Sequence, residues 1–227
     1  MSVSYKRKNC RLCDSGNIKV VLPLQKSPLC DAYLEQPKDQ EFYNLNLCLC
    51  NECGFVQIDT VVEPETIYRD YIYVTTSSPG LQKHFERYAL EVCSFLYLDE
   101  SNLTVDIGSN DGTLLGFFKQ RGHNVLGIEP SIKAANSANR NGIETLSEFF
   151  DIGLANAIAN QYGKASLITI NNLFANIDNL KEFVKGINVL LDSNGVLVIE
   201  SSYLLDMVDN MVFDFIYHEH LSYFSIL

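Results

Sequence analysis

From Leu103 to Glu200 the sequence alternates short apolar runs with stretches of helical periodicity, and that alternation constrains the fold more than any single motif. Leu103–Ile107 reads as a strand and Thr113–Arg121 as a helix. Asn124–Ile128 is followed by Ser131–Asn141, and a short strand near Ile143–Thr145 by Ile152–Gln161. Ser166–Ile170 leads to Asn179–Leu191, and Gly195–Glu200 closes the series. Strands that alternate with helices of this length specify an α/β fold, a parallel sheet with helices on both faces. The segment 81–98 carries Leu81, Phe85, Tyr88, Ala89, Val92, Phe95 and Leu96 at three- and four-residue steps, a helix set off by Pro79-Gly80. A last strand candidate, Tyr223–Leu227, would leave an unpaired apolar edge. The sequence is therefore expected to be the front part of a longer protein, or to need a partner there.

The chemistry concentrates in the turns after the strands. Asp106-Ile107-Gly108-Ser109-Asn110-Asp111-Gly112 joins the first strand to its helix, and its glycines permit positive φ and close backbone approach to a ligand. Glu129 ends the next strand and opens Glu129-Pro130-Ser131; a carboxylate there can accept both hydroxyls of a ribose. The loop lacks G-x-G-x-x-G, so it makes a poor pyrophosphate cradle, and its carboxylates repel phosphate. Asp106, Gly108, Ser109, Asn110, Asp111, Gly112, Glu129, Pro130 and Ser131 suit a ligand with a ribose and positive charge, such as S-adenosylmethionine. Phe149, after the third strand, is placed to flank an adenine. Asn171 and Asn172, after the fourth, can bond a cofactor or simply cap a helix.

The chain has seven cysteines, an odd number that argues against a secreted disulfide framework. Cys10-Arg11-Leu12-Cys13 and Cys50-Asn51-Glu52-Cys53 are two C-x-x-C knuckles, a spacing that places four thiolates around a structural zinc ion. Redox dithiols and unliganded core cysteines are the alternatives. The gap from Pro23 to Leu49 reads as a small β-rich insert, and Cys30 and Cys93 as isolated core residues. The net charge of −11 excludes a nucleic-acid backbone as the main partner. No apolar run is long enough to span a membrane, and the basic start lacks an apolar signal core, so the expected location is the cytoplasm. Oligomeric state is left open.

Tyr217-His218-Glu219-His220, followed by Tyr223, is a second chemical cluster. On an extended segment His218 and His220 would share a face with Glu219 opposite. General acid–base work fits better than metal binding, because no further ligand cluster is evident; a hydrogen-bonded structural pair is the alternative. Tyr68, Tyr71 and Tyr73 form a third cluster between the cysteine segment and the sheet, suited to lining a cleft or to packing.

Taken together, the C-x-x-C pairs, Asp70-Tyr71-Ile72-Tyr73, Asp106–Gly112, Gly127-Ile128-Glu129-Pro130-Ser131 and Tyr217-His218-Glu219-His220 resemble the zinc-binding, S-adenosylmethionine-dependent sugar C-methyltransferases, over Cys10 to Leu227. The resemblance implies a class I methyltransferase (Rossmann-like) sheet with a small N-terminal zinc-binding domain of four cysteine ligands. The boundaries expected are 1–70 for zinc binding, 71–98 for a tyrosine-rich junction and helix, and 99–227 for the cofactor domain. It implies a nucleotide-activated 4-keto-deoxysugar as substrate, with no nucleic-acid or membrane partner. His220 would be the general base, Glu219 and Tyr217 its neighbours, and Tyr71 part of the substrate pocket. Family members carry His where this chain has Asn176, which can donate to an enolate oxygen without exchanging protons. They also continue into a C-terminal domain. A methyltransferase for another small acceptor, or a zinc-domain interaction protein, are the rival readings.

Overall fold

The computed structural model describes residues 3–30, 34–69, 71, 73–96 and 102–226. Asp70, Ile72, the final residues of the expected helix (97–98) and Leu227 fall outside them. In chain order the first elements are β1 (Ser4–Lys6), β2 (Ile18–Ser27), β3 (Tyr43–Cys50), β4 (Val56–Ile58), β5 (Thr60–Val62) and α1 (Pro64–Tyr68). The alternating region follows: α2 (Pro79–Leu96), β6 (Leu103–Ile107), α3 (Thr113–Lys119), β7 (Asn124–Ile128), α4 (Ile132–Arg140), β8 (Thr145–Leu146), α5 (Ile152–Tyr162), β9 (Ala165–Asn171), α6 (Leu180–Leu190) and β10 (Leu191–Glu200). The chain closes with α7 (Leu204–Asp209) and β11 (Ser222–Tyr223).

Two units emerge, and they are not two consecutive stretches of sequence. One comprises 1–67, 172–181 and 200–227; the other comprises 68–171 and 182–199. The expected division placed everything after residue 99 with the parallel sheet. The difference arises because β11 pairs antiparallel with β4, Ser222 opposite Gln57 and Tyr223 opposite Val56. The last strand thus joins a β11-β4-β3-β2 sheet as one of its two edge strands, rather than the parallel sheet. Leu221 and Tyr223 then join Leu45, Val56, Ile58, Val61 and Met207 in one core.

The other unit is built on the sheet β10-β9-β6-β7-β8. β6 runs parallel to β7 and β9, and β7 parallel to β8. β6 is buried along nearly its whole length, as a central strand covered on both faces must be. α2 lays Phe85 and Ala89 against Leu114 and Phe118 of α3 and Leu167 of β9. Its helix begins at Pro79, where the expectation placed a break; the missing N–H costs nothing in a first turn. Among the described residues, no helix is long and apolar enough to cross a membrane.

Candidate active site and metal centre

The Cys10, Cys13, Cys50 and Cys53 Sγ atoms all lie within 4.8 Å of one another. Cys10 and Cys53 are 3.7 Å apart and Cys13 and Cys50 3.6 Å. A tetrahedral Zn²⁺ with bonds of about 2.3 Å requires thiolates about 3.8 Å apart, so the cluster fits the ion. The two knuckles share one backbone design. Cys10 N–H donates to Ser15 O and Cys50 N–H to Phe55 O; Asp14 N–H returns to Cys10 O and Gly54 N–H to Cys50 O. The fourth residue after each first cysteine is left-handed, Asp14 at φ 62° and Gly54 at φ 73°. Cys48 stays out of the cluster, its Sγ against Asn46 O. Of the two cysteines expected in the core, Cys30 is exposed, whereas Cys93 packs half-buried against the core of the parallel unit, beside His123 Nε2 at 3.3 Å.

In the parallel unit, the loop after β6 passes through three left-handed residues, Gly108, Asn110 and Gly112. Glu129, at the end of β7, receives Asn110 N–H on Oε2 at 2.9 Å and Ser131 N–H on Oε1 at 2.8 Å. It is 6% exposed, and burial raises its pKa while those two N–H groups oppose the rise. Gly127 is there because a Cβ would stand 2.5 Å from Ser109 Oγ. Asp106 turns inward, accepting the Thr169 hydroxyl, and Pro130 O accepts from Arg69 Nη1 at 3.4 Å. The Arg69 guanidinium also lies over the Phe149 ring, 5.0 Å from its centroid.

A strap, Tyr71 together with Tyr73–Thr76, is sewn onto this loop. Asn110 Oδ1 accepts Thr75 N–H, Asn110 Nδ2 donates to Tyr73 O, and Asp111 Oδ2 accepts Thr76 N–H. Asp111 Oδ1 also takes the Thr113 hydroxyl, and Ser131 Oγ donates to Tyr71 O. Asn110 and Asp111 therefore spend their side chains on the strap. Ser109 Oγ, Ser147 Oγ and both polar atoms of the Asn171 amide are buried without a hydrogen-bond partner among the described residues. Hydroxyls, an amide and a carboxylate beside a tight left-handed loop are the donor set a ribose-bearing ligand needs, so the residues fit S-adenosylmethionine.

The Tyr/His cluster belongs to the other unit, and it is a turn rather than the extended segment expected: His220 N–H donates to Tyr217 O. His218 therefore does not share a face with His220. It is 1% exposed, edge-on to Tyr43, with Nε2 3.1 Å from Asn44 O. Glu219 is also buried. His220 Nδ1 stands 2.9 Å from Phe215 O, and Nε2 3.1 Å from the Tyr217 hydroxyl. A carbonyl only accepts, so Nδ1 carries the proton and Nε2 keeps its lone pair. Burial holds the His220 pKa below its ordinary value, and the Phe215 carbonyl partly opposes that. Asn176 lies in a short 3₁₀ turn, Phe174–Asn176, with its Oδ1 buried and unpartnered among the described residues. Asn172 adopts φ 56° and donates its N–H to Glu200 O, a backbone role rather than a side-chain one.

Sequence reasoning missed Thr169, Arg69, the Phe215 carbonyl and the role of the strap. Only Thr169 had a readable signal, since it falls opposite Asp106 once β6 and β9 are aligned.

Two families match the chain. One, described as "Putative zinc binding domain", matches residues 10–68; the other, described as "Methyltransferase domain", matches residues 81–227. The chain belongs to this methyltransferase family. S-adenosylmethionine and zinc are its cofactors. The methyltransferase is 30% identical over 220 residues to the C-methyltransferase NovU of Streptomyces niveus, covering 96% of this chain and 52% of that one. It thus spans about half the length of the curated relative it matches. Among solved structures it is similar to DesVI of Streptomyces venezuelae, with 17% identity, TM-score 0.45, and 55% and 53% of the two chains covered. The PH0226 protein of Pyrococcus horikoshii OT3 gives 14% identity, TM-score 0.47, and 61% and 62% coverage.

Proposed function

We propose that this methyltransferase C-methylates a nucleotide-activated 4-keto-deoxysugar in the cytoplasm, with His220 as the general base. The observation that carries the reading is the His220 tautomer, fixed by the Phe215 carbonyl with Nε2 unprotonated. The name of its relative, a C-methyltransferase, supports the same chemistry. A carbon α to a ketone is acidified by the carbonyl. Once the Tyr217 hydroxyl turns away, His220 Nε2 takes that proton; the C–H pair becomes the enolate C=C, the carbonyl π pair moves onto oxygen, and the Asn176 amide donates to that oxygen. The Tyr217 hydroxyl, which donates to Nε2 at rest, can accept from the Nε2–H that forms, and buried Glu219 lies next to His220 in the chain. Bound S-adenosylmethionine supplies an electrophilic methyl group. Glu129 holds its ribose, the backbone of Gly108, Ser109 and Gly112 its amino-acid end, and Ser131, Phe149 and Asn171 its adenosine.

The test is exchange of the substrate's α-proton in heavy water, followed alongside methyl transfer by product mass. His220→Ala should lower both by about 10²–10⁴-fold, the usual worth of a positioned base, and leave S-adenosylhomocysteine binding intact. The wild-type rate should rise with pH through a value below the ordinary imidazole pKa of about 6.5 and then level off, since only neutral His220 accepts a proton. Undiminished turnover in His220→Ala removes it as the base. Saturable cofactor binding with no methylated keto-sugar would favour another small acceptor, the reading that Asn176 supports.

A further inference from the structure

Arg11 lies between two cysteines of the metal cluster, yet its side chain is completely buried. Its Nε donates to Asp178 Oδ1 at 2.9 Å, and its Nη1 to Ile58 O at 2.7 Å and Leu221 O at 3.1 Å. Its own N–H is taken by Gln57 Oε1 at 2.8 Å. Asp178 also receives Arg7 Nη1 at 3.0 Å and the Tyr5 hydroxyl. A guanidinium is costly to bury, and an apolar side chain would fill the same volume with no polar atoms to satisfy. What a guanidinium adds is direction: a rigid fork of donors that fixes several acceptors at once. Its acceptors are informative. Leu221 follows His220 directly, and Asp178 stands two residues after Asn176.

We propose that Arg11 is a positioning residue that ties the His220 and Asn176 segments to the zinc knuckle. The metal fixes Cys10 and Cys13, the knuckle fixes the Arg11 backbone, and the guanidinium fixes the 178 and 221 segments. The zinc ion then serves the reaction by aligning groups it never touches. The second knuckle has Asn51 at the matching place, with its amide on Asn17, so this linkage is particular to the first. The inference rests on reading His220 as the base, but its test does not depend on turnover.

Arg11→Lys keeps the charge and loses the fork; Asp178→Asn keeps the shape and removes the counter-charge. In each, zinc content, S-adenosylhomocysteine affinity and the imidazole ¹⁵N spectrum are measured at fixed pH. Both variants should keep one zinc ion and the wild-type affinity. In both, His220 should pass from a single Nδ1–H form to a mixture of tautomers, while the His123 signals stay unchanged. Where the keto-sugar substrate is turned over, kcat should fall by up to about 100-fold, the cost of ångström-scale misplacement. A wild-type His220 spectrum in both variants overturns the proposal. So does loss of zinc from both, which would assign Arg11 to metal retention. A wild-type rate in His220→Ala would instead remove the base reading and leave the tautomer result standing.

Discussion

The Thr169 hydroxyl donates to the Asp106 carboxylate across adjacent parallel strands at 2.6 Å, with both side chains sealed from solvent. Burial pushes the Asp106 pKa up to about 7, a rise that Thr169 resists and Glu129 adds to. The sign of the linkage follows. The native pKa lies above the ordinary value of about 3.9, so the stability tied to protonated Asp106 is present below pH 4 and is lost as pH climbs through 7. Asp106→Asn keeps the acceptor for Thr169 and cannot ionise. Its thermal midpoint should exceed that of the wild type at pH 8 and match it near pH 4. Equal differences at both pH values would mean that folding leaves the Asp106 pKa at its ordinary value.

Gly127→Ala should strike the cofactor loop from beneath. The added Cβ would stand 2.5 Å from Ser109 Oγ and 2.7 Å from Thr145 Oγ1. Overpacking of this kind costs about 1–3 kcal/mol, and here much of the relief comes by displacing Ser109. Calorimetric titration should show weakened S-adenosylhomocysteine binding, with part of the loss recovered in the Ser109→Ala, Gly127→Ala double variant.

Asn110 performs two separable jobs, a left-handed backbone at φ 50° and side-chain bonds to Thr75 and Tyr73. Asn110→Gly preserves the first and removes the second; Asn110→Ala removes both. Amide exchange at Thr75 should quicken in each variant. Only the alanine form should lose about 1 kcal/mol of further stability to backbone strain. Unchanged protection at Thr75 would mean that the strap holds without Asn110.

The exposed ligand Cys13 offers a clean test of the metal. Cys13→Ser opens no cavity, so any loss reports the zinc rather than packing. Metal analysis should give one ion per wild-type chain and less in the variant, whose lower thermal midpoint excess zinc partly restores. A serine variant as stable as the wild type would leave the cluster without a structural role.

The sequence was most legible where periodicity is local. The strands at Leu103–Ile107 and Asn124–Ile128 were read to the residue, because each apolar run is bounded by a turn. The four ligand cysteines were legible because C-x-x-C is a local constraint. Partners set by long-range pairing were not legible. Nothing around Ser222-Tyr223 reveals that β4, far back in the chain, will be its neighbour. Nor does a C-R-L-C motif reveal that its arginine will be buried against Asp178. The histidine pair misled for a related reason. A turn between Tyr217 and His220 replaced the two-residue alternation that the spacing resembled.

The pairing of β11 with β4 also orders events at the ribosome. When the first cysteine knuckles leave the exit tunnel, the strand that completes their sheet has yet to be translated. The zinc can be captured early, but the layer around Leu45 and Ile58 waits for Leu221 and Tyr223. In that interval the parallel unit between them can fold as an insertion within an unfinished host. A nascent chain stalled inside the parallel unit would therefore offer its apolar strands to chaperones while already holding its metal.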